Sequence, residues 1–525
     1  MAPKSKYLFI ASMDVDPSKV SLFNDVYNTE HCPELGKVAG VGDITRFEAQ
    51  AFHVLIGGQT QTISPEGQPR FHAMYEIESP NVLSSPEWGE AVELGRWPEQ
   101  VRPHTTNRRH TLLRLTYPEV SPRVTSNLAE YPGGHMDPGL NEDQQELVNT
   151  AERIAKECLA PRAAEVDANS THPKESWKDV WQNGLLTIGV PKEHGGHGLD
   201  MLTYVKVIEK LSGGCTNTGM TVHMHSTVMR FIEALGTAQQ KAELYPEIVD
   251  EGKLFGSWGS EPETRGGSAF RFTTITASDT GYIINGVKNF CTMSGGAHRY
   301  MIHCNAQNTD DPVGSQQLAL IHHNTAGLSQ LDEWNTLGMR GTISPSMKLD
   351  NCVVGKDVAL GRPGEGYHTG VTQGFGLGFA ATYVGAAQTA LDFTKEFCMN
   401  QTFSPDPGRV ADGLVVQRTI AEMAMSLNNA RKALYDAAGQ WEGKTANEKA
   451  VIAARPKYLA TTASLEVSAK AIQVTGGRSV RKSMPLERIF RDIRTSTLMP
   501  PNLDRCLEMI GRAEFGLDTP LNRDA

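Results

Sequence analysis

The sequence predicts a multidomain α+β protein, and three observations carry that expectation. At 525 residues the chain is too long for one hydrophobic core, so two to four domains are expected. Strand and helix patterns alternate over residues 1–118, whereas residues 140–253 read as helical, 254–365 as β-rich and 366–525 as helical again. Between the first unit and the rest, residues 119–139 are crowded with Pro, Gly and Ser and read as a linker.

Composition narrows the class. Hydrophobic content of 39% and charged content of 21% are ordinary for a globular chain, neither depleted as in disordered proteins nor enriched as in membrane ones. A net charge of −10 argues against a sequence-independent grip on nucleic acid. No apolar run reaches the ~18–20 residues of a membrane span. The opening MAPKSKYLFIASMDVD is basic and then apolar, but the apolar part breaks at Asp14, so it reads as a first strand rather than a signal peptide. The eight cysteines (Cys32, Cys158, Cys215, Cys291, Cys304, Cys352, Cys398, Cys506) show no CxxC spacing. That pattern argues against a zinc site or a disulfide framework and fits a reducing, cytoplasmic setting.

In the first unit, Tyr7–Met13 has a strand pattern, and Pro17–Glu34 places Val20, Phe23, Val26 and Tyr27 on one helical face. Strands are expected at Ile44–Ile56, Arg70–Ile77 and Arg109–Thr116, and a second helix at Val82–Leu94, N-capped by Ser84 or Ser85 with Pro86 in its first turn. The order β-α-β-β-α-β is that of a ferredoxin-like unit. In the second part, helices are expected at Leu140–Leu159, Trp177–Leu186, Leu202–Leu211, Val222–Leu235, Gly378–Met399, Val415–Gln440, Ala446–Thr475 and Asp504–Phe515. Met423 and Met425 read as core of one of these helices.

The stretch Phe255–Ala297 is the densest in polar chemistry. Ser257, Gly259, Ser260, Gly266, Gly267 and Ser268 crowd its start. Alternating β-formers Phe270, Phe272, Thr274 and Thr276 follow, then turn signals at Asp279-Thr280-Gly281 and Asn285-Gly286, and a run ending in Phe290-Cys291-Thr292. Backbone amides, hydroxyls and an aromatic wall on a small sheet suit a flat, polar-edged cofactor.

Several motifs resemble those of the acyl-CoA dehydrogenase superfamily, in order, over roughly residues 140–516. Val190-Pro191-Lys192-Glu193-His194-Gly195-Gly196-His197-Gly198 is similar to its "PxxxGGxG" loop. Ser260-Glu261-Pro262 with Gly267-Ser268 resembles "TEPxxGSD", and Gly281–Lys288 resembles "GYxLNGxK". Leu337–Thr342 resembles "LGxRxS", Ala430-Arg431 falls on a helical "AR" pair, Gln473–Gly477 resembles "QxxGGxG", and Glu487–Asp492 resembles "ERxxRDxR". The resemblance implies a helical domain, a β-barrel-like domain and a C-terminal four-helix bundle, and a flavin cofactor, FMN or FAD. It places the flavin ring against Ser257, Gly259, Ser260, Phe290 and Thr292, with Phe290 in the place of the usual tryptophan and Thr292 donating to the N5 edge. It also implies a homodimer or homotetramer, in which Phe403, Gln473, Gly476 and Gly477 approach the phosphate arm from a neighbouring subunit. In the first unit, Phe23–His31 resembles the "FxxWYxxEH" signature of EthD-like proteins, in which Glu30 and His31 would form a polar pair in a cavity; the plainer reading is a helix-end cap.

Departures from the family pattern shift the expected chemistry. The catalytic glutamate of most members falls on Pro500; a subset places it on an earlier helix just before an arginine, and that pair, aligned through Ala387-Gln388, falls on Phe375-Gly376. Glu365, Asp504 and Glu508 are the carboxylates nearest in sequence, with nothing to single one out. The arginine that meets the FAD pyrophosphate falls on Gln401 and the following glutamine on Leu414, with Gln417 one turn away; Arg265, in a two-residue insertion, is a candidate replacement charge. Phe290–Gly295 and Arg491–Pro501 are closer to the superfamily's flavin-dependent monooxygenases, whose hairpins read "FxSTG" or "FCSG" and whose C-terminal run reads "RxxRTxTLxxP". Some of these place a histidine where Ser496 or Met499 stands here. His223 and His225, in a helix approaching the substrate side of the flavin, are the candidate replacements, although at i and i+2 only one is expected to face it. Catalytic candidates are therefore His223, His225 and Ser294. The expected activity is a monooxygenase using reduced flavin, supplied by a separate reductase, on a small organic or aromatic molecule. The alternatives are a dehydrogenase with a relocated base and a non-catalytic partner subunit. His194 and His197 have HxxH spacing without a carboxylate to complete a metal site, and His322-His323 read as surface turn residues, so no metal is expected. Gly374–Gly378 is not set between a strand and a helix, so it is no dinucleotide fingerprint.

Overall fold

The computed structural model describes residues 7–57, 59–114, 139–264, 270–306, 311, 314–403, 405 and 408–517. The chain divides into two units, Met1–Asp137 and Pro138–Ala525. The expected linker apart from Gly139, and the loop segment that holds Arg265, Gly267 and Ser268, lie outside the described residues.

The first unit contains β1 (Tyr7–Val15), α1 (Val20–Val26), α2 (Cys32–Leu35), β2 (Val41–Glu48), β3 (Phe52–Ile56), β4 (Gln59–Ile63), β5 (Phe71–Ile77), α3 (Pro86–Val92) and β6 (Thr105–Arg114). Period-2 alternation builds the sheet: Phe71, Ala73, Tyr75 and Ile77 are buried and the residues between them are less so. The antiparallel order β2-β5-β1-β6 is the ferredoxin-like one, with Phe23, Tyr27, Trp88 and Trp97 filling one face. The strand expected at Ile44–Ile56 is two. β2 stops at Glu48, and β3 pairs only with β4 in a hairpin that leaves Phe52 and Leu55 exposed. Glu30 and His31 do not pair with each other. Glu30 is held by Arg96 at 2.5 Å, and His31 is buried and stacked on Trp97, where burial lowers its pKa to about 4.

The second unit begins with helices α4 (Glu142–Ile154), α5 (Ala160–Asn169), α6 (Lys174–Gln182), α7 (Met201–Gly214), α8 (Thr216–Leu235) and α9 (Ala238–Val249). Asn141 and Gln144 close a capping box on α4, which fixes where that helix starts. Strands β7 (Phe255–Trp258), β8 (Thr274–Ala277), β9 (Gly281–Lys288), β10 (Arg299–Ala306), β11 (Gln316–His322), β12 (Leu328–Gln330), β13 (Met347–Gly355) and β14 (Ala359–Leu360) form one sheet in the order β12-β13-β9-β8-β10-β11-β14, with β7 beside β10. Helices α10 (Glu365–His368), α11 (Val371–Asn400), α12 (Leu414–Gly439), α13 (Ala446–Thr475), α14 (Pro485–Arg494) and α15 (Leu503–Glu514) complete it.

Three local expectations are corrected. Asn285-Gly286 is not a turn: β9 runs through it, because a Cβ at Gly286 would lie 2.4 Å from Thr273 Oγ1 and only glycine admits that approach. Phe270 and Phe272 precede the strand and are exposed. Met423 is core, but Met425 is on the outer face of α12, at 62% exposure. The motif residues of α14 hold the fold together: Arg491 grips Asp167 at 2.6 Å, and Asp492 accepts the Met339 amide at 2.6 Å.

Candidate active site

Two chain segments meet to form a shelf. The Ser260 carbonyl accepts the Asn289 amide at 2.8 Å, and the Trp258 indole donates to the Thr292 carbonyl at 3.2 Å. A Cβ on Gly256 would sit 3.0 Å from that carbonyl, so the approach depends on glycine. The shelf thus brings Ser257, Gly259, Ser260, Phe290 and Thr292 together. Phe290, at φ +54°, leaves its ring 65% exposed, touched at its edge by Trp334 at 6.5 Å. A large uncovered aromatic side chain in a strained backbone is what a flat ring would cover. Thr292 Oγ1 accepts from Ser344 Oγ at 3.1 Å, which in turn lies 2.9 Å from Thr342 Oγ1. That leaves the Thr292 hydroxyl hydrogen for an acceptor outside the loop. The shelf therefore fits a flavin on donor chemistry and on an uncovered aromatic face.

Ser294 does not offer its hydroxyl to the shelf. Its Oγ donates to the Cys291 carbonyl at 2.7 Å, and its own carbonyl contacts His172 Nε2 at 2.9 Å. The Ser294 hydroxyl closes this turn. Ser257 Oγ lies 3.4 Å from His303 Nε2, a buried histidine whose pKa burial pushes well below its ordinary value.

The two candidate histidines of α8 have different surroundings. His225 Nδ1 accepts the Phe255 amide at 3.0 Å, tying α8 to β7. Its ring also meets Phe255 edge-on at 6.0 Å, and its Nε2 is buried without a hydrogen-bond partner, so His225 pins the helix to the sheet. His223 sits among side chains. Tyr204 Oη lies at hydrogen-bond distance, 2.6 Å, from its Nδ1, and Nε2 is buried without a partner. Phe375 and Phe379 meet the ring edge-on at 5.7 and 4.8 Å. Gly378 makes room for it, since a Cβ there would fall 2.2 Å from the imidazole. Burial, reinforced by Arg230, lowers the His223 pKa to about 3, so it is neutral at ordinary pH. His223, Thr227 and Arg230 share a helical face, and Arg230 lies over the Tyr204 ring at 4.2 Å.

The two segments that carry the family positions for a catalytic glutamate touch. A Cβ on Gly376 would lie 3.6 Å from Pro501 Cδ, so Phe375-Gly376 of α11 and Pro500-Pro501 border one spot. Neither segment carries a carboxylate. Glu365 caps the Arg362 amide at 2.7 Å, and Glu508 pairs with Arg505 at 2.8 Å.

Phe403, Gln473, Gly476 and Gly477 gather at the C-terminal ends of α11 and α13, where a Cβ on Gly476 or Gly477 would meet open space. The sequence reading missed Arg478 there. It donates to Gln401 Oε1 at 3.1 Å and stacks over Phe403 at 4.9 Å. A guanidinium thus stands beside the position from which the family's arginine is absent, and its place inside the glycine motif was the available signal. Tyr204 and Ser344 were also missed, because their partners lie on other elements.

Residues 141–252, 256–352 and 377–498 match the acyl-CoA dehydrogenase N-terminal, middle and C-terminal domains respectively. The human mitochondrial short-chain specific acyl-CoA dehydrogenase is 30% identical over 364 residues, covering 68% of this chain and 87% of that protein. TdsC of Paenibacillus sp. A11-2, a dibenzothiophene monooxygenase solved with FMN and indole, is 25% identical at a TM-score of 0.65, covering 72% of this chain and 99% of TdsC. Butyryl-CoA dehydrogenase of Megasphaera elsdenii shares the fold at 23% identity and a TM-score of 0.67, covering 72% and 99% of the two chains. The chain belongs to the acyl-CoA dehydrogenase superfamily of flavin-dependent oxidoreductases, and its cofactor is a flavin.

Proposed function

We propose that the chain is a flavin-dependent monooxygenase acting on a small organic or aromatic substrate, with reduced flavin delivered by a separate reductase. The observation that carries this reading is the contact of Gly376 with Pro501: the two family positions for the α-proton base, Phe375 and Pro500, each stand one residue before it, and both lack a carboxylate. Loss of a general base costs ~10²–10⁴-fold in a proton abstraction, whereas oxygen insertion needs none there. The bound flavin supplies the oxygen-activating chemistry. Phe290 and the Thr292 hydroxyl would hold the flavin on the shelf, the ring by its aromatic face and the hydroxyl by a donated hydrogen bond. Phe375 and Phe379 give an aromatic lining, and His223 Nε2 hydrogen-bonds a polar atom of the substrate. His223 orients rather than shuttles a proton, because its ring stays neutral above about pH 3.

A second copy of the chain completes the site, with Phe403, Gln473, Gly476, Gly477 and Arg478 of one copy taking the phosphate arm of the flavin held by the other. Arg478 restores the charge lost at Gln401 and so keeps FAD as well as FMN within reach. The 30% identity to a short-chain acyl-CoA dehydrogenase favours a second reading, a thioester dehydrogenase with a relocated base. Mixing the flavin-loaded protein anaerobically with a panel of acyl-CoA esters separates the two. No bleaching of the flavin is expected, with oxygen-dependent product from an indole-type substrate when reduced flavin is supplied. Rapid bleaching by any thioester would reject the monooxygenase.

A further inference from the structure

The antiparallel register of β10 with β11 sets Arg299 opposite His322. It therefore brings His298, just before β10, together with His322 and His323 at the end of β11. The sheet fixes their backbones: the His323 amide donates to the His298 carbonyl at 2.9 Å, and the His298 amide to the Leu254 carbonyl at 2.7 Å. The three ring centroids lie 4.4, 5.0 and 4.5 Å apart. One nitrogen from each ring falls within 4.8 Å of the others, and the Nε2 atoms of His298 and His322 are 3.0 Å apart. His322 Nδ1 is engaged by Asn324, through its side chain and its amide, while His322 Nε2 faces His298.

A metal ion at the usual ~2.0–2.1 Å from imidazole nitrogen holds two such nitrogens about 2.9 Å apart at a right angle and about 3.4 Å apart at a tetrahedral angle. The His298–His322 spacing lies between these values. The Asn324 contact holds the ring orientation of His322, as outer-sphere partners do in metal sites. An all-imidazole donor set suits zinc, copper or nickel, and not magnesium or calcium, which take oxygen. The neighbouring charges are engaged with each other: Lys253 with Glu251 at 3.1 Å, and Glu247 with Arg299 at 2.7 Å. We propose that His298, His322 and His323 form a binding site for one divalent transition-metal ion, with its remaining coordination positions open to water or a small anion.

The site is accessible, since His323 is exposed and the other two are part-buried. It also adjoins the shelf in sequence: the segment from Phe290 to Ala297 ends at His298, and Tyr300 O–H accepts the Gly295 amide at 2.8 Å. A bound ion would cross-link the ends of β10 and β11 and so stiffen the exit of that segment. The experiment uses full-length, flavin-loaded protein stripped with a chelator and titrated calorimetrically with zinc chloride, with cobalt(II) absorption in parallel. Binding of one equivalent per chain is expected, with a raised melting temperature and a cobalt(II) ligand-field spectrum. His322→Ala and His323→Gln should each weaken binding at least ~10-fold, and Asn324→Ala about 10-fold, the loss usual for an outer-sphere partner. His53→Ala, in the first unit, should change nothing. His323→Gln alters only an exposed ring and keeps the test valid if His322→Ala misfolds. No saturable zinc binding, or binding that survives both histidine substitutions, would overturn the proposal.

Discussion

Removing the Glu261 carboxylate tests how the β domain supports the shelf. Lys288, one residue before Asn289 and Phe290, reaches Glu261 at 2.5 Å, and both side chains are fully buried. Glu261 also accepts the Phe272 and Thr273 amides at 2.6 and 3.0 Å, and the Lys288 ammonium donates to the His303 carbonyl as well. Burial pulls the Lys288 pKa down. Burial pushes Glu261 up, but the Lys288 charge and these hydrogen bonds hold it below its ordinary value, so Glu261 is a carboxylate at neutral pH and the counter-charge to the Lys288 ammonium. Glu261→Ala leaves a buried ammonium without its counter-charge, a change that costs about 3–5 kcal/mol. Lys288 can escape by losing its proton, which from an ordinary value near 10.5 costs about 5 kcal/mol at pH 7 and caps that penalty. The two unpaired amides add to it, so a loss of about 4–6 kcal/mol at pH 7 is expected.

The sign with pH follows from both groups. The stabilisation from Glu261 is present above the unfolded carboxyl value of 4.5 and is lost as pH falls through the lower folded value, so parent and variant should converge in acid. They should also draw closer above pH 7, as deprotonating Lys288 becomes cheaper. The assay is denaturant unfolding of the full chain, followed by tryptophan fluorescence and circular dichroism, with a Glu261→Leu/Lys288→Met double variant alongside. The double variant should recover most of the loss, because replacing a whole buried pair with apolar groups is close to neutral. A single variant within about 1 kcal/mol of the parent, or a double variant no better than the single, would refute the reasoning.

Four further outcomes are expected. Thr292→Val should weaken flavin retention by roughly 10-fold, the worth of about 1.4 kcal/mol of hydrogen bonding, and Phe290→Ala should do so through lost ring contact; equilibrium dialysis checks both. His223→Phe should cut oxygenation ~10²-fold while leaving flavin binding intact, and no inflection from His223 should appear in the parent's rate profile between pH 5 and 8. Arg478→Gln should raise the dissociation constant for FAD more than that for FMN, measured by fluorescence quenching. Lys457 is fully buried, and burial lowers its pKa to about 8, so its penalty is full below pH 8 and is relieved as pH rises toward 10.5. Lys457→Met should therefore gain about 1–3 kcal/mol at pH 7, an advantage that fades by pH 10 in thermal unfolding.

The sequence by itself determined the parts whose signals are local. Hydrophobic periodicity placed the long helices, so that Ala446–Thr475 coincides with α13 residue for residue, because a helix face repeats within a few residues. Motif order determined the family and the flavin, and the alignment already exposed Pro500, Phe375 and Gln401 as departures. Tertiary structure decided what each polar group faces. Asn285-Gly286 carries a turn signature, yet packing against Thr273 keeps it in a strand. His223 and His225 are two residues apart with the same side chain, and only the neighbours told them apart: the Phe255 amide pins one to the sheet, while Tyr204, Phe375 and Phe379 surround the other. The same holds for Arg478 beside Gln401 and for His298 beside His322 and His323, pairs that are remote in sequence. Such arrangements arise from strand register and helix packing, which bring together residues whose local sequence carries no record of the meeting.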